Sequence, residues 1–321
     1  MRAIAVFAAL MCAACDGGSG TDGGTDAALR DAAMPDAAPA DVEGTGEWTL
    51  LLRQGIVPAL PPASSREVAG MNLDFHDTLG TSDPIGCFVE DWVAPARYVD
   101  VLGIDNQVPN VLTALEGFNP GLSLNDDIEQ AIHDLDFLLV MRIRRIGHPT
   151  DDGGVDVALF TTEIVGTPVY EMVDVGGRMV EMLAPGQTFR PLPDSLIDGR
   201  PRTQMIGASL RGGRLFTPES SFSLRVPASD MRMVYLELNG MRLGGRVSES
   251  IISDGLIAGH IRVDDVPATL ESLMLMDPPD MSTIETIAQT LADLDTNGDG
   301  DCEAISIGIQ IEGVAATLVD P

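Results

Sequence analysis

The chain has 321 residues, 45% of them hydrophobic and 21% charged, which is the composition of a folded protein rather than a disordered one. Its 49 acidic residues outweigh 19 basic ones for a net charge of −30, and every basic residue is an arginine. Such a field attracts cations and repels anionic membrane surfaces, and it excludes nucleic acid, which is held by cationic side chains neutralising phosphates.

The chain begins with Met1 and Arg2, followed by an apolar run from Ala3 to Met11 and then Cys12-Ala13-Ala14-Cys15. So short a run does not span a bilayer as a helix and reads as an export signal. The segment resembles the lipobox of bacterial lipoproteins, with Cys12 where that pattern prefers leucine. The resemblance implies a signal peptide over residues 1–14, acylation of Cys15, and a protein exported and anchored to a bacterial membrane through that lipid. Residues 15–46 then comprise the modified cysteine and an acidic stretch without aromatic side chains, too poor in apolar surface to offset the entropy of ordering. As a flexible coil it would span roughly 30 Å and act as a tether.

Residues 47–321 read as one globular domain. Trp48 to Leu52 opens it. Asn106 to Glu116 carries Val108, Val111, Leu112 and Leu115 at helical spacing, and Asn125 is placed to cap a short helix ending near His133. Alternation of period two follows: Leu139, Met141 and Ile143 against Arg142 and Arg144, then Val155, Val157 and Leu159, then Phe222, Leu224 and Val226, then Ile261 and Val263. The pairs Gly153-Gly154, Gly176-Gly177, Gly212-Gly213 and Gly244-Gly245 are expected at turns. Ser282 to Leu294 reads as a helix with a Ser282/Glu285 capping box, and Ile305, Ile307, Ile309 and Ile311 as the clearest half-buried strand. Short strands without a βαβ rhythm predict a mainly β (α+β) fold: an antiparallel sandwich or open barrel with a few short helices.

The chemistry concentrates between that last helix and strand. Asp293, Asp295, Asn297, Asp299 and Asp301 stand at every second position around Gly298, and alternating oxygen side chains about a sharp turn suit a hard cation that takes six to eight oxygens. The segment resembles the calcium loop of EF-hand and dockerin-like proteins. That resemblance implies Ca2+ held by the side chains of Asp293, Asp295 and Asn297, the carbonyl of Asp299, and Asp301 directly or through water. It departs at position twelve, where the family has glutamate and this chain has Ala304, and a strand rather than a helix follows. A structural role is therefore expected, not a switching one.

Besides Cys12 and Cys15 the chain has Cys87 and Cys302, and export to an oxidising compartment predicts that they form a disulfide. The bridge would bring Asp74, Asp77, Asp91, Asp105 and Asn106 beside the loop, as sources for the missing ligand. The phrases LDF, C…EDW…P and GIDNQ, with DGDCEAISIGIQIE near the end, are similar to those of uncharacterised exported lipoproteins from GC-rich bacteria, a resemblance that implies no activity. His76, His133, His148 and His260 form no metal-binding pair, and Gly207-Ala208-Ser209-Leu210-Arg211 lacks the second glycine of a nucleophile elbow. A tethered binding or structural module is thus the leading expectation. The alternatives are a β-cup carrying an apolar ligand among Met172, Met179, Met182, Met231, Met233 and Met241, and a hydrolase without a recognisable motif.

Overall fold

The structure, a computed structural model, describes residues 40–62, 65–75, 87, 89, 91–95, 103–118, 124–228, 232–266 and 281–319. The signal segment, Cys15, most of the expected tether, and His76, Asp77 and Met231 lie outside the described residues.

Eight strands close into an antiparallel barrel. They are β1 (Gly46–Ile56), β2 (Leu139–Ile146), β3 (Asp152–Ile164), β9 (Thr203–Arg211), β10 (Arg214–Phe216), β12 (Arg232–Val247), β13 (Ile251–Arg262) and β14 (Ala304–Ala315). Around the ring the order is β3–β2–β1–β14–β13–β12–β10–β9, and β9 returns to β3 through pairs such as Val157 with Met205. That last pairing turns the expected sandwich or open barrel into a closed one and leaves the ring without an edge. The interior is filled by one contact cluster of alternating residues, among them Leu50, Met141, Ile143, Val157, Met205 and Leu215, each at most 1% exposed. An eight-stranded barrel is just wide enough for side chains to fill it.

Two of the four glycine pairs sit where turns were expected, between β4 (Tyr170–Val175) and β5 (Arg178–Leu183) and between β9 and β10. The other two do not: Gly153-Gly154 lies within β3 and Gly244-Gly245 within β12, both at register shifts. There the missing side chain admits another group. A Cβ on Gly245 would stand 2.7 Å from the Gly255 backbone, and one on Gly154 would stand 2.1 Å from the Asp41 carboxylate.

Two covers wrap the barrel. Over β1 and β2, outward-facing Leu51 and Val140 pack with Leu183, Phe189 of β6 (Thr188–Pro191), and Ile132 of α2 (Leu124–His133). Asn125 does not cap α2. Its carboxamide is drawn to the Val57 backbone, accepting from the amide at 2.7 Å and donating to the carbonyl at 3.1 Å, which fixes the chain leaving β1. Over β12–β14 lies a cover built from segments within residues 65–107, joined by the bridges Met71–Asp105 and Trp92–Ile104. Asn106, fully buried, holds it there: its amide group donates to the carbonyls of Ala69 and Gly308, and its oxygen accepts from the amides of Gly308 and Val108. The last of these caps α1 (Val108–Phe118), two residues shorter at its start than expected. A Cβ on Gly308 would stand 2.6 Å from Asn106, so this strand position requires glycine.

The barrel has two distinguishable ends. At the lower one, Ala40 accepts from the Gly153 amide, and the 147–151 turn touches the Gly212-Gly213 turn through Gly213 N to Thr150 O. The upper one carries the starts of β9 and β14, and α3 (Met281–Leu291), which ends three residues before the expected Leu294. Hairpin β11 (Ser220–Ala228) with β12, the short pair β7 (Leu196–Ile197) and β8 (Arg200–Pro201), and β15 (Thr317–Leu318) parallel to β6 complete the fold.

Candidate metal centre

The acidic loop sits on the upper end, its neck tied by backbone bonds. Asp293 N donates to Ala304 O at 3.0 Å and Glu303 N donates to Leu294 O at 3.1 Å. Leu294 and Ala304 are 3% and 0% exposed, so both feet of the loop are in the core. Within it the Asp295 carboxylate is the hub, accepting from the amides of Gly298 (2.6 Å), Asn297 (3.3 Å) and Gly300 (2.8 Å). Slight burial pushes this carboxyl up, but the amides outweigh it and hold its pKa below the usual carboxylate value. Asn297 accepts in turn from Asp299 N, and Asp299 from Asp301 N. Glu303, the residue before β14, accepts at one oxygen from both the amide and hydroxyl of Thr296, and among the described residues its other oxygen is buried without a partner.

Asp295, Asp299 and Glu303 each present a carboxylate oxygen, all within 4.8 Å of one another. Oxygens bound to a common calcium at about 2.3–2.6 Å are separated by no more than roughly this distance. The donor set therefore fits a hard divalent cation, and the unpartnered Glu303 oxygen is a polar group such an ion would satisfy. Of the residues expected from the sequence, Asp295 and Asp299 belong to this group. Asn297 and Asp301 line the same loop through the bonds above.

Asp293 is elsewhere. It is 6% exposed, and its carboxylate turns inward to accept from Ser306 N at 2.8 Å and from the Ser306 hydroxyl. Burial pushes it up to about 7 despite these bonds. Glu303 takes part instead, and the sequence holds one clue to it: an acid eight residues after Asp295, at the foot of the isoleucine strand.

Cys87 and Cys302 are bonded, with Cα atoms 5.7 Å apart, and Cys302 lies between Asp301 and Glu303. Of the aspartates expected beside the loop, Asp74, Asp91 and Asp105 cluster with Asp293, on the inner side of the loop, and Asp77 lies outside the described residues. Asp105, 3% exposed, is raised well above the usual carboxylate range by burial and then by the charges of Asp74, Asp293 and Asp91. Its oxygen accepts from the amides of Leu73 and Asp74 at 2.5 and 3.2 Å.

Catalytic geometry is not assembled by the described histidines. His133 faces Asp134 and Glu181 on the surface, His148 accepts the amides of Thr150 and Asp151 in a turn, and His260 is half-buried on β13. A cavity of about 110 Å³ opens beside β3, lined by Thr161, Asp194, Ser195 and Arg202 among others, but the Ser195 hydroxyl donates to the Leu192 carbonyl rather than to a base. Of the methionines expected to line a cup, those whose side chains are described scatter: Met241 is in the barrel core, Met182 is buried on β5, and Met172 and Met179 are each 57% exposed. Among the described residues no helix is long and apolar enough to cross a membrane. No family model matches the chain, and neither the curated proteins nor the solved structures offer a match.

Proposed function

We propose that the protein is an exported, lipid-tethered barrel module whose upper loop binds calcium as a structural element. The observation that carries the cation is the convergence of Asp295, Asp299 and Glu303 within 4.8 Å, in a loop closed at its neck and pinned by a disulfide. Bound there, the ion offsets the mutual repulsion of the three carboxylates, while Asn297 and Asp301 lie in reach of the same loop interior. Both feet of the loop are core residues, so ordering the loop fixes α3 against β14, and this favours a stabilising role over a sensing one. Export and acylation of Cys15 rest on the sequence of the first fifteen residues.

Calcium binding to the native state alone stabilises by RT ln(1 + [L]/Kd), about 2.7 kcal/mol at a hundredfold excess over Kd. Chelator is therefore expected to lower the melting temperature. Calcium should restore it better than magnesium, which demands a near-octahedral cage, and Asp295→Ala should remove the difference. An identical melting curve with chelator and with millimolar calcium overturns the cation reading. For the anchor, Cys15→Ser is expected to release the protein from cell membranes.

A carrier of one apolar ligand uses the same closed-barrel architecture. The filled interior places that reading second, and native mass spectrometry of the purified protein, showing a bound apolar molecule, would promote it.

A further inference from the structure

The cavity of about 110 Å³ lies between β3, β9 and β11. Leu159 and Thr161 on β3 and Thr203 on β9 continue the inward alternation of Val157 and Met205, so it opens at the upper mouth of the barrel. Its position follows from a seam in the ring. Among the described residues β9 meets β10 over Ser209–Arg211, while β11 pairs with β12 rather than with β9. Along the seam hydroxyls do the joining: Ser220 donates to the Gln204 carbonyl at 3.4 Å and Thr203 to the Ser221 carbonyl at 3.5 Å. A backbone ladder would draw the two strands to about 4.8 Å; without one, space remains at the mouth.

The lining has three parts of different chemistry. Its floor is apolar, made by the buried side chains of Leu159 and Phe222. Above the floor stand hydroxyls already committed as donors. Ser195, buried in the one-turn segment Pro193–Ser195, donates to the Leu192 carbonyl at 2.7 Å, and Thr161 donates to the Asp194 carboxylate at 3.3 Å. A hydroxyl has one proton and two lone pairs, so with their protons directed into the protein these oxygens offer the cavity acceptors. The rim carries a cation. Arg202 is exposed and donates Nε to the Asp194 carbonyl at 3.0 Å, and among the described residues no ion pair engages its terminal nitrogens.

We propose that this cavity binds a small α-amino acid as its zwitterion. The ligand carboxylate meets the planar fork of Arg202. Its ammonium donates to the oxygens of Thr161, Ser195 and Thr203, and its side chain packs on Leu159 and Phe222. Size limits that side chain: a cavity of roughly 150 Å³ holds benzene, so this one takes about six heavy atoms, the size of alanine. Charge selects the zwitterion, because a net charge of −30 opposes a bare carboxylate and Arg202 at the rim opposes a bare amine. The site shares no residue with the cation loop and stands independently of it.

The test is calorimetric titration of the full chain carrying Cys15→Ser, so that no lipid anchor contributes. L-alanine is expected to bind saturably, propionate and ethylammonium each at least tenfold more weakly, and L-tryptophan not at all. Arg202→Gln should weaken L-alanine at least tenfold and leave ethylammonium unchanged. Arg200→Gln, at an exposed arginine of β8 that does not line the cavity, should match the parent. Both arginines are exposed, so neither substitution disturbs the core. No saturable binding of L-alanine, binding of propionate or L-tryptophan as tight as that of L-alanine, or an equal loss in the two arginine variants overturns the proposal.

Discussion

Both ends of the barrel bury aspartates, and the two ends hold them in opposite ways. At the lower end Asp152, with no exposed surface, accepts amides from Gly147, His148, Gly154 and Val42 at 2.7–3.3 Å. Burial pushes its carboxyl up, yet these four donors together outweigh it and the pKa falls below the usual value. At the upper end Asp105 and Asp293 lie deeper within the surrounding protein: burial raises both, the charges of Asp74, Asp293 and Asp91 raise Asp105 further, and the hydrogen bonds each accepts do not offset this. A buried charge is tolerated where the dipoles aimed at it outweigh the cost of its burial. The lower end is stabilised by its own ionisation; the upper end is held against it by a covalent bridge.

The largest expected effect follows from that bridge. Replacing Cys87 and Cys302 by alanine frees a 215-residue separation, for which chain entropy gives about 5 kcal/mol as an upper bound. Chemical denaturation should show the loss, and added calcium should recover part of it. A double variant as stable as the parent would mean that the upper end needs no staple. Next comes Asp152→Ala, which leaves four amides facing a void. A loss of about 3 kcal/mol is expected, since each abandoned buried donor costs roughly 1–3 kcal/mol and water can enter to satisfy some of them. A loss no greater than that of an average surface substitution would erase the contrast between the ends.

The smallest effect is the pH dependence. Asp152, depressed in the folded state, contributes stability that is present above the ordinary carboxylate value near 3.8 and is lost as pH falls through its folded pKa. Asp105, raised, contributes in the opposite sense: its stabilisation is complete below 3.8 and is lost as pH rises through its folded value. Asp105→Asn should therefore gain steadily on the parent as pH rises from 4 to 7, in urea titrations with chelator present. A variant that loses ground over that interval would show Asp105 to be ionised and well satisfied.

Much of the barrel was legible in the chain. Leu139, Met141 and Ile143, Val155 to Leu159, and the isoleucine strand all fall where period two puts them, because a one-faced strand has no other way to hide its apolar side. The parity of the remaining cysteines gave the bridge. What escaped depends on distant partners. Ser306 and Gly308 alternate with isoleucines and read as a solvated face, yet Ser306 is fully buried under Asn106, Gln107 and Asp293. The β3–β9 closure joins segments with no mutual signature. Asp293 looked like the first residue of the cation loop because its spacing fits, and only the hydroxyl of Ser306, thirteen residues on, turns it inward. Glu303 stayed out of the expected set because the position of the missing ligand fell on its neighbour, Ala304.

One feature of the ring sets a clock on its assembly. β1 pairs with β14, Leu50 opposite Ala315, so the first described strand of the domain finds one of its two neighbours only in a strand about 260 residues further along the chain. Non-local pairings of this kind slow folding, because the entropy of closing the loop must be met before any contact rewards it. During translation the growing chain carries β1 with an open flank until nearly the whole domain has been made. A polypeptide that cannot close early stays threadable, which is the state that the export proposed above would require.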